Sequence, residues 1–279
     1  MAKGDGKYIS KEPDAHGIRL YTAEENAIWR DLYDRQEKLL PGLAAQEYLD
    51  ALKKLALPRD RVPQLPEVSA TLKRHTGWQV EGVPALISFK KFFTLLTERK
   101  FPAATFIRLR EEFDYLQEPD IFHEIYGHCP LLTNQVYADF MHKYGEIGLK
   151  VAKEDRAMLA RLYWFTVEFG LMRKPEGMRI YGAGILSSVG ESDYALNSGV
   201  PEYRKLDLVD VFRTPYRIDI YQPVYFVING FDDLYSLVKD EHMLLAAIRE
   251  ARALGEHAPK FPPKEGVTHD APPSGAGAY

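Results

Sequence analysis

The stretch Pro119-Asp120-Ile121-Phe122-His123-Glu124-Ile125-Tyr126-Gly127-His128-Cys129-Pro130 places two histidines five residues apart on what reads as one short helix. Pro119 suits a first helical turn, where its missing N–H is not needed. Pro130 forbids continuation. A regular α-helix turns about 100° per residue, so positions i and i+5 point about 140° apart. On that geometry the two imidazoles converge only if the helix ends between them. Gly127 is the residue placed to end it, since glycine tolerates the left-handed conformation of helix C-termini. The spacing differs by one residue from the zinc-protease pattern His-Glu-x-x-His, whose histidines share one continuous face. Two neutral imidazole nitrogens aimed at one metal ion are the functional reading; one core and one loop histidine are the structural reading.

Forty residues on, the run Leu159–Met172 reads as one nearly all-apolar helix with Glu168 as its exception. One turn away from Glu168 lie Trp164, Phe165, Leu171 and Met172, and Arg161 is two turns down. A carboxylate buried there must be neutralised, paired or metal-bound. Joined to His123 and His128, it completes two histidines and one carboxylate, the facial triad of non-haem Fe(II) oxygenases. Phe122, Tyr126, Tyr163, Trp164, Phe165 and Phe169 supply rings able to exclude water and hold an aromatic substrate. Ser187 and Ser188 offer a hydrogen bond to a ligand imidazole. Arg108 offers a bidentate partner for a substrate carboxylate, with surface pairing to Glu111 or Glu112 as its plain alternative.

The rest of the chain frames that centre. Its 279 residues, 46% hydrophobic and 27% charged, suffice for one domain with a sizeable core. A net charge of −4 predicts no strong affinity for nucleic acid or membrane. No stretch is apolar enough to span a bilayer. One cysteine, Cys129, excludes an intrachain disulfide and suits a reducing cytoplasm. We expect an irregular N-terminal arm over residues 1–20, a folded unit over 21–256 and a flexible Pro/Gly/Ala-rich tail over 257–279. The fold class is mainly α with short β-strands. Thr22 and Glu25 form a capping box for the first helix. Helices follow near Ala44–Ala56, before Arg74, after Ser88, from Thr133, and as one long element over Phe231–Leu254. Strands are expected at Gly77–Glu81, Phe101–Leu109 and Ile180–Val189, and within Leu206–Phe212 and Tyr216–Val227.

With these residues in hand the chain resembles the pterin-dependent aromatic amino acid hydroxylases. The signature Pro-Asp-x-x-His-Glu-x-x-Gly-His-x-Pro stands at Pro119 to Pro130, and the runs Tyr163–Leu171 and Tyr181–Ser188 match as well. The likeness covers about residues 15 to 240. It implies a single catalytic domain in which His123, His128 and Glu168 hold Fe(II). Arg108 would bind the amino acid carboxylate. Trp164, Phe169 and Ser187 would line or brace the pocket, with Pro119 against the substrate ring. Phe92 matches a ring that stacks on the pterin, and Val83, Leu86, Ile87 and Glu124 would meet tetrahydrobiopterin or a related tetrahydropterin. A threonine of the family that helps place substrate falls where this chain has Leu116. The implied reaction is conversion of L-phenylalanine to L-tyrosine with O2. Hydroxylation of tryptophan or tyrosine, or a zinc hydrolase with Glu124 as base, are the alternatives. The chain resembles a bare catalytic domain, so a monomer is expected.

Overall fold

The computed structural model describes residues 8–84, 87–114, 116, 118–257, 259 and 261. Leu86 and nearly all of the expected tail therefore lie outside the described residues. From Tyr8 the arm runs without helix or strand along the face that carries Thr105 and Phe106. Tyr8 stacks on Phe106 at 4.5 Å, and the Lys11 N–H donates to Thr105 Oγ1 at 2.8 Å.

Helix α1 (Ala23–Leu39) starts at the expected capping box of Thr22 and Glu25, and buries Ile28, Trp29 and Leu32. Helices α2 (Gln46–Leu55) and α3 (Leu65–Thr76) follow, the latter ended by Gly77 at φ 79°. Strand β1 (Gln79–Val83), helix α4 (Phe89–Thr97) and strand β2 (Lys100–Ala104) form a β-α-β unit whose strands pair in parallel, Val83 opposite Ala104. Ser88 caps α4 as its sequence suggests. Helix α5 (Gln135–Lys150) packs on α4 so closely that a Cβ on Gly148 would fall inside the Phe93 ring.

Helix α6 (Arg156–Tyr163) leads into the site and on to a four-stranded sheet. Its strands are β3 (Leu171–Lys174), β4 (Gly177–Ile180), β5 (Glu202–Lys205) and β6 (Val224–Ile228). Their order is β4-β3-β6-β5, with β3 antiparallel to β4 and β6 parallel to both β3 and β5. Helices α7 (Ala183–Leu186), α8 (Val189–Asn197) and α9 (Leu208–Arg213) intervene, and α10 (Phe231–Val238) and α11 (Glu241–Leu254) close the chain.

Mainly helical with short strands, the architecture is of the expected class, but several elements differ. Leu208–Arg213 is a helix rather than a strand, because the Asp207 side chain caps it by accepting from the Asp210 N–H. The last helix is two: Asp240 accepts from His242 N and Met243 N and starts α11 afresh. The strand expected over Ile180–Val189 gives way after Ile180 to α7 and α8.

Candidate metal centre

Both segments that carry the expected ligands are π-helical. His123–His128 is one such turn, closed by a bond from Cys129 N–H to the Glu124 carbonyl at 3.3 Å. Trp164–Glu168 is the other, closed by Phe169 N–H to the Trp164 carbonyl at 2.9 Å. A π-helix bonds i to i+5, so each turn holds an extra residue and position i+5 comes back toward the face of position i. That corrects the expectation that the helix ends between the histidines. The backbone instead widens by one residue, which answers the five-residue spacing. Gly127 sits inside this turn. Its job is close approach: a Cβ there would lie 3.0 Å from the Ala183 carbonyl oxygen and 3.1 Å from the Ala183 Cβ. The expected helix through Met172 likewise stops at Phe169, and Leu171 and Met172 belong to β3. Gly182 lets the chain return against Glu168, since a Cβ there would come within 2.4 Å of the Glu168 carbonyl oxygen.

These turns converge His123, His128 and Glu168. Their ligand atoms all lie within 4.8 Å of one another. His123 Nε2 and His128 Nε2 are 3.0 Å apart. Glu168 Oε1 is 3.2 Å from His128 Nε2, and Oε2 is 3.5 Å from His123 Nε2.

Ser187 assigns the tautomer of one ring. Its hydroxyl donates to the Ala183 carbonyl at 2.9 Å. A serine has one proton to give, so the 2.9 Å contact with His123 Nδ1 must be donated by the imidazole. The His123 Nε2 lone pair is thereby left pointing at the centre. Burial, opposed by Glu168 and reinforced by His128, lowers the His123 pKa from 6.5 to about 4, so the ring is neutral at pH 7. Two imidazoles and a carboxylate, all buried or nearly so and directed at one point, match the donor set of a divalent cation of the iron or zinc type.

Beneath the centre lies an ion pair that the sequence did not signal. Asp120 is fully buried and accepts from Arg108 Nε at 2.8 Å and Nη2 at 3.0 Å. It also takes the backbone N–H groups of Arg108 and His123, each at 3.0 Å. Burial alone would raise this carboxyl, but the Arg108 charge and these four donors hold it below the usual range. Arg108 is thus neither a surface charge nor a partner of Glu111 or Glu112. Arg110 is the exposed one, paired with Asp31 at 2.8 Å.

A cavity of about 600 Å³ opens onto the cluster. Its walls include His123 and Glu168 together with Arg108, Pro119, Trp164, Phe169 and Ser187, all five side chains expected to meet substrate. Trp164 is fixed by its Nε1–H donating to Gln222 Oε1 at 2.9 Å, by Phe169 at 4.4 Å and by Tyr216 stacked at 4.3 Å. Leu116 lines the same space. The sequence did not point to the segment Ile218–Gln222 or to Glu191, which close the far wall. Gln222-Pro223 punctuation before the Val224–Ile228 strand was the one available hint of a turn there.

The residues expected on the pterin side lie elsewhere. Val83 and Glu124 come together at Ala104, which pairs with Val83 in the β1–β2 ladder and whose backbone lowers the pKa of the Glu124 carboxyl against burial. Burial, with Glu168 and Asp120 nearby, pushes that carboxyl well above its ordinary value. Phe92 is 1% exposed and meets Tyr163 and Phe93 at 5.4 and 5.3 Å, so its ring presents no open face here. Ile87 packs against the core. None of these four lines the cavity.

The sequence profile described as biopterin-dependent aromatic amino acid hydroxylase matches residues 13–246. A phenylalanine-4-hydroxylase of Pseudomonas aeruginosa is 52% identical over 259 residues, covering 93% of this chain and 98% of its own. The apo structure of the cold-active phenylalanine hydroxylase of Colwellia psychrerythraea superposes with a TM-score of 0.88 at 54% identity, over 90% of this chain and 96% of that one. The Chromobacterium violaceum phenylalanine hydroxylase with bound Fe(III) does so at 0.82 and 43%, over 88% and 91%.

Proposed function

Since this chain belongs to the biopterin-dependent aromatic amino acid hydroxylases, we propose that it is a phenylalanine 4-monooxygenase, converting L-phenylalanine to L-tyrosine with O2 and a tetrahydropterin. The observation that carries the reading is the position of the His123–His128–Glu168 cluster at the wall of an aromatic-lined cavity. When bound, Fe(II) and tetrahydropterin supply O2 activation and two electrons.

The protein's own contribution is placement. His123, His128 and Glu168 hold the iron, and Ser187 keeps the His123 proton on the outer nitrogen. Arg108, held rigid by Asp120, turns its remaining edge to the substrate carboxylate. Trp164 and Phe169 grip the phenyl ring opposite Pro119 and keep water from the reacting carbon. On the cofactor side Val83 and Glu124 form one corner that meets the pterin, with Leu86 and Ile87 next in the chain; stacking on Phe92 requires that ring to be uncovered. The catalytic unit spans residues 21–256. One buried cysteine, Cys129, and no helix long and apolar enough to cross a membrane among the described residues support a cytoplasmic enzyme. We read it as a monomer.

The test is an anaerobic sample loaded with Fe(II), tetrahydropterin and phenylalanine, to which O2 is added while tyrosine is followed. Tyrosine formed in step with pterin oxidation is expected. A zinc-dependent hydrolysis with no pterin-dependent O2 uptake would overturn the assignment. Glu124 does not line this cavity, which supports the hydroxylase reading over a hydrolase that uses it as base.

A further inference from the structure

Glu191 is a buried carboxyl, 5% exposed, in the first turn of α8, and it faces the cavity. Its two oxygens stand in different situations. Oε1 accepts the Tyr225 hydroxyl and the Gln222 N–H, the latter at 3.1 Å. Oε2 has no hydrogen-bond partner among the described residues and is not sealed off. Glu191 also makes no ion pair among them, whereas the other carboxylates of this wall do: Asp219 with Arg217 at 2.6 Å and Asp114 with Arg35 at 2.6 Å. A buried carboxylate without a cation is costly, and nature normally supplies the missing positive charge. The cationic side chain in the same cavity, Arg108, is already matched by Asp120.

We infer that Glu191 is the receptor for the α-ammonium group of the amino acid substrate, its Oε2 accepting from the ammonium while Arg108 takes the carboxylate. The inference rests on the amino acid hydroxylase reading and adds a residue to it. Three features prepare the site. Tyr225 and Gln222 fix the carboxyl by one oxygen, so the other is aimed without loss of side-chain freedom on binding. The N-terminal turn of α8 favours the anion. Gln222 bonds both to Glu191, through its N–H, and to Trp164, through its Oε1, so the ammonium receptor and the ring wall are built as one unit. Burial, relieved in part by the Tyr225 and Gln222 donors, raises the Glu191 pKa; an ammonium ion in contact would lower it again.

A binding cycle tests this. Glu191→Gln keeps the shape and keeps an oxygen for Tyr225 and Gln222, but removes the charge. Phenylalanine and 3-phenylpropanoate, which lacks only the ammonium group, are titrated calorimetrically into the iron-loaded wild type and variant. Phenylalanine should bind the variant roughly ten- to a hundredfold more weakly, the range of a charged hydrogen bond, while 3-phenylpropanoate changes by less than about threefold. In turnover the loss should appear in KM for phenylalanine and leave kcat largely intact. Equal weakening of both ligands would make Glu191 a mere brace and overturn the inference, as would no weakening of either. If the wild type bound no phenylalanine at all, the hydroxylase reading itself would fail, which is a different result.

Discussion

Replacing Ser187 by Ala tests how the centre is tuned without touching a ligand. The substitution deletes two 2.9 Å hydrogen bonds, one from His123 Nδ1–H and one to the Ala183 carbonyl. Ser187 is 5% exposed, so bulk water does not take its place freely. The His123 Nδ1–H then has no acceptor, a penalty of about 1–3 kcal/mol in a buried site. Moving the proton to Nε2 would relieve it, but that nitrogen is the one needed for metal. Metal binding must therefore pay this difference, and affinity should fall about 10- to 100-fold, the range seen when the partner of a ligand imidazole is removed. The assay is anaerobic titration of Fe(II), or Co(II) as a spectroscopic substitute, into wild type, Ser187→Ala and Ser192→Ala. Ser192 is fully buried and bonds to the carbonyls of Ile185 and Ser188, 2.9 and 2.8 Å away, without touching a ligand. Its loss should lower the melting temperature and leave metal affinity alone. Equal metal affinity in wild type and Ser187→Ala, or equal weakening in both variants, would refute the tautomer argument.

The pH dependence follows from His123. Its pKa is lowered from 6.5 to about 4 by burial, so the unfolded chain takes up a proton at a pH where the folded apoprotein does not. Stability from this group is full above pH 6.5 and is lost as pH falls toward 4, by roughly 3 kcal/mol. Urea unfolding of the apoprotein at pH 7 and pH 4.5 should show that slope, and His123→Gln should flatten it; an unchanged slope in the variant would contradict the assignment. Asp120→Asn leaves the Arg108 guanidinium, 6% exposed, buried without its counter-charge. Unfolding free energy should drop by about 3–5 kcal/mol, and a loss under about 1 kcal/mol would mean that the pair is not the anchor described here.

Much of this was legible in the order of residues because it depended on chemistry that is local. The Thr22–Glu25 box, the Ser88 cap and the apolar stripes of α1 and α4 need only a few neighbouring residues. The ligand set was legible because a lone carboxylate in an apolar run must have a partner. Its backbone was not. A π-turn trades one i to i+4 bond for an i to i+5 bond, and here the reason lies in tertiary packing: Ala183 against Gly127, and the Glu168 carbonyl against Gly182. No pattern within either segment encodes those contacts. The Lys174-Pro175-Glu176-Gly177 turn between β3 and β4 carries the turn residues that mark it, but the helix expected through Met172 overran the start of β3 and hid the strand before it. Asp120 and Glu191 were missed for a shared reason. An acidic residue in a polar stretch looks solvated until the fold shows what covers it.

The central claim is that Glu168 shares one metal ion with His123 and His128. Anaerobic equilibrium dialysis of wild type and Glu168→Gln against Fe(II), with the melting temperature of each read with and without metal, tests it most directly. Wild type should hold one iron per chain and melt higher when loaded. Glu168→Gln should bind iron at least about tenfold more weakly and gain no metal-dependent stability, while its metal-free form, relieved of a buried charge, is at least as stable as wild type. A variant that kept one iron per chain at the wild-type affinity would contradict the account.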